Sequence, residues 1–259
     1  MSNLNRTLNL QKQMMKYVFI TLMLLSVTIA ESSPNQNILK ADSDGDFQKA
    51  IMLSKELCDK DDFTGCAILA QYHSEGKGVE KNYYKAAALY EKACIGGAVE
   101  ACVNLGVMYR FTQGATKDLV MAAKLYQTGC DHGSPRGCDN LGYLYRAGIG
   151  VKQNINKAKN LFDKACSQGF PKGCYNLGGL YAGGLYEQDI GVKRDDQKAV
   201  ELFKIACDGE ISDGCLNLGA AYLRGIGITR DITKAKSMFK RSCDLGNKAG
   251  CDNYNLVNR

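Results

Sequence analysis

Residues 156–178 read NKAKNLFDKACSQGFPKGCYNLG, and close copies of that string run through the chain. From Tyr84 it returns as YKAAALYEKACIGGAVEACVNLG, and from Thr233 as TKAKSMFKRSCDLGNKAGCDN. Every copy carries two cysteines eight positions apart: Cys58/Cys66, Cys94/Cys102, Cys130/Cys138, Cys166/Cys174, Cys207/Cys215 and Cys243/Cys251. Successive pairs begin 36, 36, 36, 41 and 36 residues apart. A period of this length belongs to repeat architectures, in which each unit buries its apolar face against its neighbours.

Inside each copy the apolar positions have helical spacing. Ala50, Ala86, Ala122, Ala158, Ala199 and Ala235 share one position. Three residues on stand Leu53, Leu89, Leu125, Leu161, Leu202 and Met238. The next position holds Ser54, then Tyr90, Tyr126, Phe162, Phe203 and Phe239. Offsets of three and four place these side chains on one face of a first helix. The second cysteine opens another series: Cys102, Leu105, Gly106 and Tyr109 recur from Cys138, Cys174 and Cys215. That series reads as a second helix packed against the first. Glycine inside a helix costs about 1 kcal/mol relative to alanine, so its recurrence at Gly106, Gly142, Gly178 and Gly219 predicts a close approach of two helix backbones. The fold expected is all-α: a solenoid of six helical hairpins.

The cysteines sit where the hairpin turns, one ending a helix and the other opening its antiparallel partner. The bend between them can bring two alpha carbons within bonding distance. Structural zinc sites favour short C-x2-4-C spacings and four ligands, and the chain holds only His73 and His132. Two units could pool four thiolates, but six internal bridges, Cys58–Cys66 through Cys243–Cys251, are the simpler reading; no metal or cofactor is expected. Chain-entropy arithmetic gives about 2.5 kcal/mol for each small loop closed. Such bridges require an oxidising compartment.

Residues 1–30 agree with that requirement. Arg6, Lys12 and Lys16 precede the apolar run YVFITLMLLSVTIA, with Thr28 and Ala30 as small residues before a cleavage point. This reads as a secretory signal peptide, too short for a comfortable membrane span, and predicts a secreted or periplasmic protein with no stable span after cleavage. Removing residues 1–30 lowers the formal charge from +6 to +3. Without a basic run or an aromatic platform, that mild excess does not support nucleic-acid binding.

Residues 31–42 read as a flexible lead-in. The solenoid follows over 43–259, in units of about 43–78, 79–114, 115–150, 151–191, 192–227 and 228–259. Asp46, Asn82, Asp118, Asn154, Asp195 and Asp231 precede the first helices and suit N-caps. Paired glycines at Gly76/Gly78, Gly148/Gly150 and Gly225/Gly227 stop one helix and aim the next. The fourth unit carries five extra residues between Tyr181 and Val192, where Tyr186 is a candidate contact residue.

The combination KAxxLFxKAC, GCxNLG and GxGV resembles the Sel1-like repeats, over about residues 43–259. With a cysteine pair in every unit the chain is similar to the secreted cysteine-rich Sel1 proteins of Helicobacter and its relatives. The resemblance implies a superhelical, tetratricopeptide-like (TPR-like) α/α fold. It also implies β-lactam binding with weak hydrolysis of penicillin- and cephalosporin-type compounds, or a role as a secreted interaction protein. Serine β-lactamase chemistry needs Ser-x-x-Lys together with Ser-Asp-Asn and Lys-Thr-Gly. Ser74-x-x-Lys77 and Ser237-x-x-Lys240 supply the first element only, and no catalytic residue is assigned.

A different pattern points to binding. Asn104, Asn140, Asn176 and Asn217 each follow the second cysteine by two positions, and Asn253 extends the series. An amide both donates and accepts, so a ladder of them can hold a peptide backbone or a sugar amide. The alternative is that each asparagine bonds the neighbouring hairpin. The partners expected are a peptide, a protein or a peptidoglycan-like ligand in a concave groove, with β-lactams entering through the resemblance. A structural periplasmic adaptor is the third reading.

Overall fold

The structure is a computed structural model that describes residues 34–111, 114, 117–183 and 192–257. The expected signal peptide and Tyr186 lie outside the described residues. All regular structure among the described residues is helical. The chain divides at Ser54 into two compact units.

The first unit, residues up to Ser54, carries α1 (Pro34–Ser43) and the start of α2 (Phe47–Asp59). The flexible lead-in expected over 31–42 is corrected here: most of it is α1. The reason is burial. Ile38 and Ala41, three residues apart on one face, are 1% and 4% exposed, and that face is what a bare composition argument misses. Asp46 caps α2 by accepting from the Lys49 backbone N–H at 3.1 Å. Ser54, the odd member of the aromatic series, is buried and donates to the Ala50 carbonyl.

The second unit, Lys55–Arg259, carries the end of α2, then α3 (Phe63–Glu75), and continues with five hairpins. These pair α4 (Tyr83–Ile95) with α5 (Val99–Phe111), and α6 (Leu119–Asp131) with α7 (Pro135–Ala147). α8 (Ile155–Ser167) pairs with α9 (Pro171–Ala182), and α10 (Asp196–Asp208) with α11 (Ser212–Arg224). α12 (Ile232–Asp244) and α13 (Lys248–Val257) close the series. α5, α7, α9 and α11 each pack on the first helix of the following hairpin more extensively than on their own partner. The result is an α/α solenoid of stacked hairpins.

Local chemistry sets the helix ends. Asn82, Asp118, Asn154, Asp195 and Asp231 all have extended backbone and accept from N–H groups of the first turn, as expected of N-caps. Pro135 and Pro171 open α7 and α9, where no N–H is required. Gly76, Gly148 and Gly225 end second helices in the left-handed region, at φ 73°, 67° and 70°. The second glycine of the two later links has another duty: a Cβ on Gly150 would lie 2.3 Å from the Leu119 carbonyl oxygen, and one on Gly227 2.2 Å from that of Asp196. The link therefore crosses tightly over the start of its own hairpin.

All six expected disulfides are present, with Cα–Cα distances of 4.5 to 4.7 Å, and no free cysteine remains. Beside the bridges lie the true backbone contacts of the hairpin. A Cβ on Gly137, Gly173 or Gly214 would come within about 3 Å of the backbone nitrogen of the facing cysteine.

The glycine inside the second helix does more than expected. Gly106 and Gly219 do meet a facing backbone, the Ala122 and Ala235 carbonyl oxygens at 3.3 Å, but at all four of Gly106, Gly142, Gly178 and Gly219 the nearest group is a ring. Their Cβ atoms would fall 2.7 to 2.9 Å from Tyr126, Phe162, Phe203 and Phe239, each on the next hairpin. Every one of these rings is at most 6% exposed. Burying such a ring contributes about 1.5–3 kcal/mol, enough to offset the glycine's helix penalty. The glycine and aromatic series are thus one feature, a ring-in-notch joint between hairpins.

Candidate functional site: the second-helix face

Along each second helix the asparagine two places after the cysteine starts a row that continues three and six residues later. The row runs Asn104, Val107, Arg110 on α5 and Asn140, Tyr143, Arg146 on α7. On α9 it is Asn176, Gly179, Ala182. On α11 it begins Asn217, Ala220, with Ala221 and Arg224 alongside.

The four asparagines occupy different settings. Asn104 accepts from an Arg136 guanidinium nitrogen at 2.5 Å. Arg136 also forms an ion pair with Glu100 at 2.7 Å, and Ser134, the cap of α7, donates to that same Glu100. This knot ties α5 to α7. Asn176 is 6% exposed, and its amide donates to Asp139 Oδ1 at 2.6 Å, tying α9 back to α7. Burial raises the Asp139 carboxyl above the ordinary carboxylate range, opposed by the Asn176 hydrogen bond and the charges of Lys172 and Arg146. Asn140 and Asn217 are half-buried, and among the described residues neither side chain has a hydrogen-bond partner. Asn253 folds onto its own helix, donating to the Ala249 carbonyl.

Asn217 borders a cavity of about 380 Å³. Its lining is mainly apolar: Ala199, Val200 and Phe203 of α10, Gly179 and Ala182 of α9, and Ala220 and Ala221 of α11. Polar groups complete it. Arg194 pairs with Asp196 at 2.8 Å, so their charges cancel locally. Arg224 also borders the cavity, and among the described residues its guanidinium has no ion-pair or hydrogen-bond partner. Among the described residues the cavity therefore joins a mainly apolar lining, an amide without a hydrogen-bond partner and a guanidinium without an ion pair.

A second ladder escaped the sequence reading. Lys157, Lys198 and Lys234 lie over the rings of Tyr145, Tyr181 and Tyr222, at 5.1, 4.7 and 5.6 Å from the centroids. Each lysine belongs to the first turn of one hairpin and each tyrosine to the second helix of the preceding one. Cation–π contacts at such exposed sites contribute about 0.5–1 kcal/mol. The recurring Lys-Ala dipeptide before the leucine was the available signal. His73 replaces the tyrosine in the first hairpin, where burial and then the Lys85 charge lower its pKa.

The serines of the Ser-x-x-Lys matches do not converge with this cavity. Ser74 donates to the Gln71 carbonyl at 2.9 Å within α3. Ser237 is exposed on α12, and Lys240 pairs with Asp244 at 2.7 Å. His132 ends α6 in an exposed turn, its ring against the Thr128 carbonyl. Among the described residues no helix is long and apolar enough to cross a membrane.

Comparison with known proteins supports the same architecture. No curated protein matches the chain. Of solved structures, the Sel1 repeat protein from Oxalobacter formigenes is similar at 25% identity, over 86% of this chain and 88% of that one, with a TM-score of 0.75. A protective antigen of uropathogenic Escherichia coli displaying an SLR fold is 27% identical over 81% of this chain, with a TM-score of 0.71. This chain spans 44% of the antigen's length. Helicobacter pylori cysteine-rich protein B is 31% identical over 52% of this chain and 94% of its own, with a TM-score of 0.41. The Sel1 repeat model matches residues 64–97, 99–134, 135–170, 171–210 and 212–247. With more than half of its length matched in successive units, the chain belongs to the Sel1 repeat family.

Proposed function

We propose that this protein is an exported binding scaffold whose second-helix face holds a peptide, a protein segment or a peptidoglycan-like glycopeptide. The observation that carries the reading is Asn217, its amide without a hydrogen-bond partner among the described residues, beside a mainly apolar cavity of about 380 Å³. A side chain that both donates and accepts suits the backbone amides of such ligands, and apolar floors with a few placed polar groups are the usual make-up of binding sites. Six disulfides fit an oxidising compartment outside the cytoplasm, and residues 1–30 serve as the export signal. N-terminal sequencing of the mature product should start at Glu31.

The test is ligand capture by the oxidised mature protein from peptide arrays and muramyl-peptide fragments. Replacing Asn217 by alanine should weaken the captured ligand about two- to tenfold, the loss of one neutral hydrogen bond, with an unchanged melting temperature. Capture indifferent to Asn217→Ala would remove the amide from the site. Turnover of a chromogenic cephalosporin by the same sample would replace the scaffold reading with an enzymatic one.

A further inference from the structure

We infer that hairpins two and three carry a second site, for a phosphoryl group, built on Arg110, Arg146 and the hydroxyl of Tyr126. It shares no residue with the cavity beside Asn217 and does not depend on what fills that cavity. Charge supplies the first step. The guanidiniums of Arg110 on α5 and Arg146 on α7 lie 4.4 and 5.3 Å from the centroid of one ring, Tyr143. Both side chains are half-buried, and neither forms an ion pair among the described residues. The acid nearby on α5, Glu100, is engaged by Arg136 at 2.7 Å and by Ser134. Asp139 is buried, hydrogen-bonded to Asn176 and raised toward its neutral form. Residues 112–116, which follow Arg110, read TQGAT and contain no acid. A ring face attracts a cation but carries no counter-charge, so two positive charges stand against Tyr143 without an acid partner.

Hydrogen bonding supplies the second step. Tyr126 is 0% exposed, and its hydroxyl is buried without a hydrogen-bond partner. Its ring fills the notch at Gly106 on α5. Arg110 stands one turn further along that helix and leans back toward the notch. Burial raises the phenol's pKa, and the charges of Arg110 and then Arg136 oppose the rise, so the hydroxyl faces cations. An arginine donates and cannot accept, which leaves the phenol proton without an acceptor. Packing does not require that hydroxyl: Phe162, Phe203 and Phe239 fill the same notch in later hairpins without one. An oxyanion would accept from the phenol and from both guanidiniums.

The donors select the class of anion. They come from three helices, α5, α6 and α7, whereas a carboxylate has only two oxygens to offer them. A phosphate monoester has three strong acceptor oxygens and a charge of about −1.5 to −2, which matches two arginines, and the guanidinium fork suits it. Rings and guanidiniums fill the face here, so it takes the charged group alone and leaves its carrier outside. Because the hydroxyl is buried, the group reaches it as Arg110 swings off the Tyr143 ring. Free phosphate and a phosphate ester of a sugar present the same chemistry, and the test separates these two sources.

Calorimetric titration of the oxidised mature protein, at constant ionic strength, uses inorganic phosphate, glucose-6-phosphate, glucose and acetate as probes. Both phosphates should bind, acetate at least about tenfold more weakly, and glucose not at all. Tighter binding of glucose-6-phosphate than of inorganic phosphate assigns the site to phosphate esters, and equal or weaker binding assigns it to the free ion. Arg110→Gln and Arg146→Gln should each lower phosphate affinity about tenfold. Lys204→Gln, the same charge change at an exposed position of α10, should leave it unchanged. Tyr126→Phe should lower phosphate affinity about three- to tenfold without lowering the melting temperature in phosphate-free buffer. If Tyr126→Phe instead melts lower while its phosphate affinity holds, the hydroxyl is a packing group and the site is overturned. Acetate binding as tightly as phosphate, an equal loss in Lys204→Gln, or no phosphate binding overturns it as well. Each of these leaves Asn217-dependent capture to stand or fall by its own test.

Discussion

Hairpins two and three differ from hairpins four and five on a face built by the same repeat. In the earlier pair the face is filled: Arg110 and Arg146 lie 4.4 and 5.3 Å from the ring centroid of Tyr143, and Asn104 is held by Arg136. In the later pair the equivalent row shrinks to Gly179, Ala182 and Ala220, and a cavity opens beside Asn217 and Arg224. The buried positions do not differ in kind, since the ring-in-notch joint recurs at Gly142 with Phe162 and at Gly178 with Phe203. A solenoid can therefore keep its joints constant and vary its exposed face hairpin by hairpin, because neighbouring units couple mainly through those joints.

The largest expected effect tests whether the two regions are energetically separate. Replacing Cys166 and Cys174 together by serine removes a bridge that contributes about 2.5 kcal/mol by chain entropy. Hydrogen exchange should accelerate in α8 and α9 and their direct neighbours, while α4 and α5 keep their protection. Uniform acceleration across the whole solenoid would show one cooperative block and dissolve the distinction.

Next comes the latch at the border between the regions. Asn176→Ala strips a donor from a buried carboxylate, Asp139, at a cost of about 1–3 kcal/mol. Because the folded carboxyl is raised above its ordinary value, the folded state holds its proton to higher pH than the unfolded chain does. Wild-type stability from this group is therefore present at acidic pH and falls as pH rises through the folded value. Asn176 opposes that rise, so Asn176→Ala should widen the window and destabilise more near neutrality than in acid. Thermal melts of both proteins across that range measure the difference. An equal loss at both ends would mean that Asp139 does not titrate there.

The hairpins, their caps and their bridges were legible because they repeat: six copies average out the accidents of any one. Asn82 or Cys94 alone would say little, but a cap and a cysteine at one phase of a 36-residue period leave few alternatives. The lead-in was not legible, since α1 has one copy and its helix shows only through the burial of Ile38 and Ala41. The asparagine ladder was legible as a pattern but not as a set of environments. Whether an amide at that position is engaged depends on residues from the next or preceding hairpin, Arg136 for Asn104 and Asp139 for Asn176, and helical period cannot assign those contacts. The cavity was harder still, because its signal is the smallness of Gly179 and Ala182 relative to Tyr143 and Arg146 at equivalent positions.

That substitution pattern can be reversed directly. Gly179→Tyr with Ala182→Arg transplants the filled face of hairpin three onto hairpin four. Captured ligand should lose at least tenfold in affinity, with a change in melting temperature no greater than an ordinary surface substitution gives. Unchanged affinity would show that the cavity is not where the ligand sits.

The smallest effect isolates the glycine itself. A Cβ on Gly179 meets nothing within 4 Å, unlike one on Gly178, which would strike Phe203 at 2.9 Å. Adjacent glycines on one helix should therefore respond with opposite sign. Gly179→Ala relieves a helix-interior glycine without a clash and should stabilise the protein by about 0.5–1 kcal/mol. Gly178→Ala gains the same propensity but must displace a packed ring, an overpacking cost of about 1–3 kcal/mol, so it should destabilise. Parallel melts of the two single variants give the comparison. If both stabilise, the ring has room to move and the notch does not set the spacing between hairpins. If both destabilise, the face at Gly179 is already filled and the contrast with hairpin three fails at the residue on which it rests.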